Sequence, residues 1–203
     1  MKTVIHSVLV VAIAVMAFLV YQSVQKPIRF NEEQRRRYAA TEQRLKDIRT
    51  AQVAFKAENK RYTGSFDTLI AFLKDGHFKV VKLIGDEDDS ADVKGGKIQR
   101  DTTLVRVLDS LFRKGYAVDS LRFVPFTGNT AQFELGTANL NAGKDGKVKV
   151  NVFEAKVHNN ILLHGLDPQL LFNYNVYREK TAKYAGLKVG SLEETNNNAG
   201  NWE

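Results

Sequence analysis

Histidine, acidic and glycine-rich positions are where chemistry would first be sought in this chain of 203 residues, which has no cysteine. Its four histidines are His6, His77, His158 and His164. They form neither a His-Glu-x-x-His motif nor a His-x-x-x-His pair, so a zinc site would need His158 and His164 to meet a carboxylate such as Asp167 across a loop. In Asp86-Glu87-Asp88-Asp89-Ser90-Ala91-Asp92, Asp86, Asp88 and Ser90 alternate as they would at the start of a calcium loop. The glycine such a loop needs at its sixth place is Ala91, and the glutamate at its twelfth is Lys97. Gly95-Gly96-Lys97 lacks the frame of a phosphate loop, and no Gly-x-Ser-x-Gly elbow occurs. No catalytic residue, no protein metal site and no cofactor are therefore expected; Ca²⁺ is the one ion left open, with Glu193, Glu194 and the neighbouring asparagines as further oxygen donors. With no cysteine, a disulfide framework and a thiolate centre are excluded.

The elements around these positions say more. Val4 to Tyr21 reads VIHSVLVVAIAVMAFLVY, with no formal charge. At about 1.5 Å per residue it spans roughly 27 Å, close to the hydrocarbon core of a bilayer. Residues 1–25 are read as a transmembrane anchor, with Val4, Val8, Val11, Ala12, Ala14, Val15, Ala17 and Phe18 as the lipid-facing and helix-packing side chains. The alternative is a cleaved secretion signal with Lys2 as its basic head. Against it, the small residues Ala12, Ala14 and Ala17 lie inside the apolar run, which Phe18 to Tyr21 continue.

Residues 26–62 read as an amphipathic stalk helix. Pro27 is expected to interrupt or kink a continuous helix, and Asn31 to cap a new one, with Glu32 and Glu33 in its first turn. Tyr38, Thr41, Leu45, Ile48, Gln52 and Phe55 form one stripe, with Ala51 and Val53 beside it. Glu33 with Arg37 and Glu42 with Lys46 are i,i+4 pairs. Burial of this stripe on a core is the main reading, and a coiled-coil seam is the alternative.

The net charge of +7 (30 Lys+Arg, 23 Asp+Glu) is concentrated here. Residues 26–61 hold eleven basic and five acidic residues, whereas the chain beyond them holds eighteen of each. A basic helix face near anionic lipid accounts for this without nucleic acid, for which stacking aromatics are too few. No nucleic-acid partner is expected.

Next, Arg61-Tyr62-Thr63-Gly64 ends the helix and Ser65 caps a short second one, with Leu69, Ile70, Phe72 and Leu73 as its buried side. Over about residues 1–75 the chain resembles the type IV pilins and type II secretion pseudopilins. The resemblance lies in the apolar run with Pro27, Leu45 to Ala51, Phe55, Asn59-Lys60-Arg61-Tyr62 and Leu69. It implies an α+β fold in which an N-terminal transmembrane helix continues into a long amphipathic helix packed on an antiparallel β-sheet. It also implies that Tyr62 and Leu69 belong to the turn following the helix. Family precursors carry a small residue before Phe ahead of the apolar run and a glutamate early within it. Here Met1-Lys2-Thr3 leads into the run, and no Glu or Asp precedes Glu32.

Residues 63–192 read as the α+β sheet domain. Strands are expected at His77–Ile84 and Lys147–Val157, and a hairpin joining Asp119–Phe126 to Gln132–Leu140. Thr102–Leu108 fits a strand or a helix. Along Lys147–Val157, the Val148, Val150 and Val152 set alternates with Lys147, Lys149, Asn151 and Phe153, one set wet and one buried. Asp167 with Pro168 can start a helix, and Gly186–Ser191 an edge strand. Residues 193–203 are a polar tail, mobile unless Trp202 packs.

The resulting expectation is a non-catalytic, single-pass subunit of the cytoplasmic (inner) membrane. It would belong to pilus, secretion or adhesion machinery, with its C-terminal domain periplasmic or extracellular. Its partners would be the membrane and, through the N-terminal helix, other copies or other envelope subunits. The cations just past the anchor oppose that orientation by the positive-inside rule. An anchored binding or scaffold domain that does not polymerise is the alternative.

Overall fold

The computed structural model describes residues 2–84, 99–142 and 148–203. Helix α1 runs from Lys2 to Asn59, 58 residues, or about 87 Å at 1.5 Å per residue. The helix break and the fresh N-terminus expected near its middle do not occur. Pro27 lies inside the helix without ending it, and Asn31, Glu32 and Glu33 are helix interior rather than a new N-terminus. A proline removes one amide donor, here the one that would reach the Ser23 carbonyl. Ser23 is exposed, and the flanking turns carry the helix across.

The second half of α1 is the spine of the core. Thr41, Leu45, Ile48, Gln52 and Phe55 are buried, and Tyr38 is half-buried. Ala51 joins them, but Val53 is 47% exposed. At about 100° per residue Val53 lies roughly 140° around the helix from Ile48, too far to share its face. The pairs Glu33–Arg37 and Glu42–Lys46 both form, at 3.6 and 2.8 Å.

Gln52 closes the reversal after the helix. Its Nε2 donates to the Thr63 carbonyl (2.6 Å) and its Oε1 accepts from the Thr63 amide (3.2 Å). Helix α2, Phe66–Asp75, follows; the Ser65 side chain accepts from the Thr68 amide at its start, and the Gly76 amide returns to the Phe72 carbonyl at its end. Leu69, Ile70 and Leu73 are buried, and Phe72 meets Phe55 edge-on at 5.2 Å.

The strands form two separate antiparallel sheets. β1 (His77–Ile84) pairs with β2 (Gln99–Arg106), His77 opposite Arg106. β3 (Glu134–Ala142), β4 (Val148–His158) and β5 (Gly186–Gly190) make a three-stranded sheet in that order. The ambiguous 102–108 segment is both things in turn: strand to Arg106, then helix α3, Val107–Leu111, with Val107 wholly buried.

The strand expected over Asp119–Phe126 is replaced by a 3₁₀ turn, Val118–Arg122, and a single bridge between Phe123 and Gln132. Val118, Leu121 and Val124 are all buried. Their three-residue spacing suits a 3₁₀ winding, and Pro125 has no amide to extend a ladder. On β4 simple alternation holds only in part: Phe153, Ala155 and Val157 enter the core, Val152 is buried beside them, and Val148 is exposed. Val148 lies at the end of β4 away from β5, which pairs only with Glu154 to His158.

Helices α4 (Asn159–Leu162) and α5 (Pro168–Lys180) lead from β4 to β5. The Asp167 carboxylate caps α5 by accepting from the amides of Gln169 (3.0 Å) and Leu170 (3.1 Å). Residues 193–203 are held in place. Gly200 bridges to Val189, Trp202 packs on the core, and the Glu203 carboxylate takes a hydrogen bond from Arg49 at 2.6 Å. That bond holds the Glu203 carboxyl below its ordinary value.

Candidate membrane and assembly interface

The first half of α1 buries none of its apolar side chains among the described residues. An 18-residue window there has a mean hydropathy of 2.6 and is 0% buried. Every large apolar side chain from Val4 to Val24 is more than half exposed, Val4, Val8, Val11, Val15 and Phe18 among them; Ala12, Ala14 and Ala17 are exposed too. Water tolerates single exposed apolar residues but not a continuous cylinder of them. By length and composition the helix can cross a bilayer.

The globular part begins at once. Phe30 is buried, its ring edge-on to Tyr174 at 6.4 Å. From there α5, α4 and the three-stranded sheet cover α1 in succession. The Tyr38 hydroxyl donates to Asn159 Oδ1, Asn159 Nδ2 donates to Asn175 Oδ1 (2.8 Å), and Asn175 Nδ2 donates to Asn160 Oδ1 (2.9 Å). This relay fastens α1 to α4 and α5 through groups that would otherwise be buried unsatisfied.

Tyr62 and Leu69 come together with the stalk residues in the core. The Tyr62 ring lies 4.8 Å from that of Phe153, and the Lys56 ammonium stands over it at 4.5 Å. Its amide donates to Asn151 Oδ1, which fastens the turn after α1 to β4. Gln52 and Asn151, which hold this turn, have no motif in the sequence. Only the placement of Gln52 on an otherwise apolar stripe hinted at a partner.

Much of the cationic character of the stalk is engaged in the fold. Arg37 donates to the carbonyls of Leu162 (3.2 Å) and His164 (2.9 Å). Arg36 pairs with Glu33 and sits 4.9 Å over the Phe126 ring. Arg44 binds the Ser120 carbonyl, and Arg49 binds Glu203. Lys26, Arg29 and Arg35 are exposed and enter no ion pair among the described residues.

The residues with scope for chemistry do not converge. His158 Nδ1 accepts from the Asn160 amide, His77 Nδ1 lies 2.9 Å from the Asp75 carbonyl, and His164 lines a cleft with Arg37, Phe126 and Thr130. Among the described residues no group of three or more His, Asp or Glu is placed to hold a metal. The acidic run 86–92 and Gly95-Gly96-Lys97 lie outside the described residues. Ser191 Oγ accepts from the amides of Glu193 (3.2 Å) and Glu194 (3.3 Å), ordering the turn after β5.

Comparison of the chain with models of protein families, with characterised proteins and with solved structures found no match. The pilin-like resemblance rests on the residues of this chain alone.

Proposed function

We propose that this chain is a non-catalytic, membrane-anchored subunit of a cell-envelope assembly, with a pilin-like or pseudopilin-like plan. One observation carries the reading: a single unbroken helix is wholly uncovered in its apolar half and forms the spine of an α+β domain in its other half. Such a helix couples the position of the domain rigidly to packing inside the membrane. Ala12, Ala14 and Ala17 would let neighbouring helices approach closely, since association within lipid depends on small side chains rather than on hydrophobicity. The domain is placed on the periplasmic or extracellular side of a cytoplasmic membrane, as the resemblance implies.

The absence of an acidic residue before Glu32 favours a second reading, an anchored binding or scaffold domain that does not polymerise. The chain has no cysteine of its own, so the two separate cleanly. Cysteines introduced at both Ala12 and Ala14, about 200° apart around the helix, should be cross-linked in intact membranes into a ladder beyond the dimer. Monomers under saturating conditions would remove the polymer reading and leave the scaffold. The side of the membrane is read with Val53→Cys and an impermeant maleimide; labelling only after lysis would place the domain in the cytoplasm.

A further inference from the structure

The place where α5 meets α1 fixes how far the domain stands from the membrane. A cleft of about 430 Å³ is lined by Leu19, Gln22, Ser23, Lys26 and Pro27 from α1 and by Asp167, Gln169 and Leu170 from the start of α5. Leu19 belongs to the apolar run. That run spans about 27 Å, slightly less than the roughly 30 Å of hydrocarbon it would cross, so a bilayer covering Val4 extends to Tyr21 as well. Leu19 then lies at the edge of the hydrocarbon, and the residues facing it across the cleft lie at headgroup depth.

We propose that the globular domain is seated on the bilayer rather than raised above it, with the first two turns of α5 and the side chains of Lys26 and Arg29 against anionic phospholipid headgroups. The inference rests on the anchored reading above. Three further observations support it. No free stalk separates membrane and domain, because Phe30 is already buried against Tyr174. Lys26 and Arg29 lie about 8 and 12 Å beyond Tyr21 along the helix, and long basic side chains extend toward the phosphate layer. Both are exposed and outside any ion pair among the described residues, whereas Glu33 is taken by Arg36 and Arg37. Glu32 lies about 17 Å beyond Tyr21 along the helix, further from the phosphates than either cation, and the Asp167 carboxylate keeps its charge but faces the amides of Gln169 and Leu170 at the α5 N-terminus. Phe172, on the second turn of α5, is 62% exposed, an apolar side chain of the kind that interfacial helices bury in lipid.

The test uses the full chain with single nitroxide-labelled cysteines at Phe18, Gln169 and Val53. It is reconstituted in phosphatidylcholine vesicles with and without phosphatidylglycerol. In anionic vesicles, collisions of an aqueous nickel chelate with the label at 169 should fall at least about twofold relative to detergent, while those at 53 stay unchanged. Lys26→Gln with Arg29→Gln should reverse that shielding, each cation contributing about a fivefold bias toward the seated state. A shielded label at 18 beside an open label at 169 would overturn the seating and leave the anchor standing. An open label at 18 would remove the anchor and the seating together. Equal shielding at 169 in neutral and anionic vesicles, or shielding that survives both glutamine substitutions, would overturn the assignment to anionic headgroups.

Discussion

Three phenols show how the fold sets the chemistry of single residues. Burial raises the Tyr38 hydroxyl, and the neighbouring Tyr174 adds to it. Tyr116 is raised by burial and by its 2.7 Å hydrogen bond to the Asp47 carboxylate. Burial, with the carboxylates of Glu134 and Glu154, pushes Tyr184 up to about 12. A folded value above the unfolded one, 10.0 for tyrosine, means the native state holds the proton more tightly. The associated stability is whole below about pH 10 and is lost as the pH rises through the folded value. Urea midpoints are therefore expected to fall from about pH 10 upward, and phenolate absorbance should show some of the seven tyrosines ionising only as the protein unfolds. Reversible ionisation of all seven near pH 10 with an unchanged midpoint would contradict this.

At the scale of elements, β5 owes its place to a backbone that only glycine accepts. Gly190 has a φ of +74°, and a Cβ there would stand 2.1 Å from the Phe153 carbonyl oxygen on the paired strand. Gly128 has a similar φ of +61°, yet its Cβ would have nothing within 4 Å. Gly128→Ala should thus cost only the left-handed term, about 1–2 kcal/mol. Gly190→Ala should cost clearly more, because β4 and β5 must separate to admit it. Chemical denaturation of the two variants checks the order; equal losses would mean that β5 does not pair as described. Periodicity located most elements, and the turn chemistry at Ser65 and Asp167 located two helix starts. It failed for Asp119–Phe126, where three inward residues three apart decide the winding, and at Pro27, where one missing donor is too small a loss to break a helix supported on both sides.

For the whole molecule, the division between membrane and domain lies within one helix rather than between two elements. Core burial starts at Phe30, so a chain beginning at Lys26 is expected to stay in solution without detergent and to keep the near-ultraviolet dichroism of the full protein. Aggregation or loss of that signal would show that the apolar half supports the fold and is not only its anchor. The neutral balance of the later chain has a structural counterpart in its pairs, such as Glu154, nearly buried between Lys156 (3.1 Å) and Lys188 (3.5 Å).

The apolar span, the buried stripe of the amphipathic helix, the capped short helices and the concentration of charge near the span are all legible in the residues alone. Each of these is written in local spacing and residue type, which hydropathy and hydrogen-bond capping read directly. Tertiary contacts settle that the stalk continues the apolar helix without a break, that Phe153, Ala155 and Val157 enter the core while Val148 stays outside, that the polar tail is bound, and that the start of α5 shares a cleft with Leu19. These depend on contacts between segments more than a hundred residues apart, or on which of two chemically acceptable faces finds cover. No local pattern contains that choice.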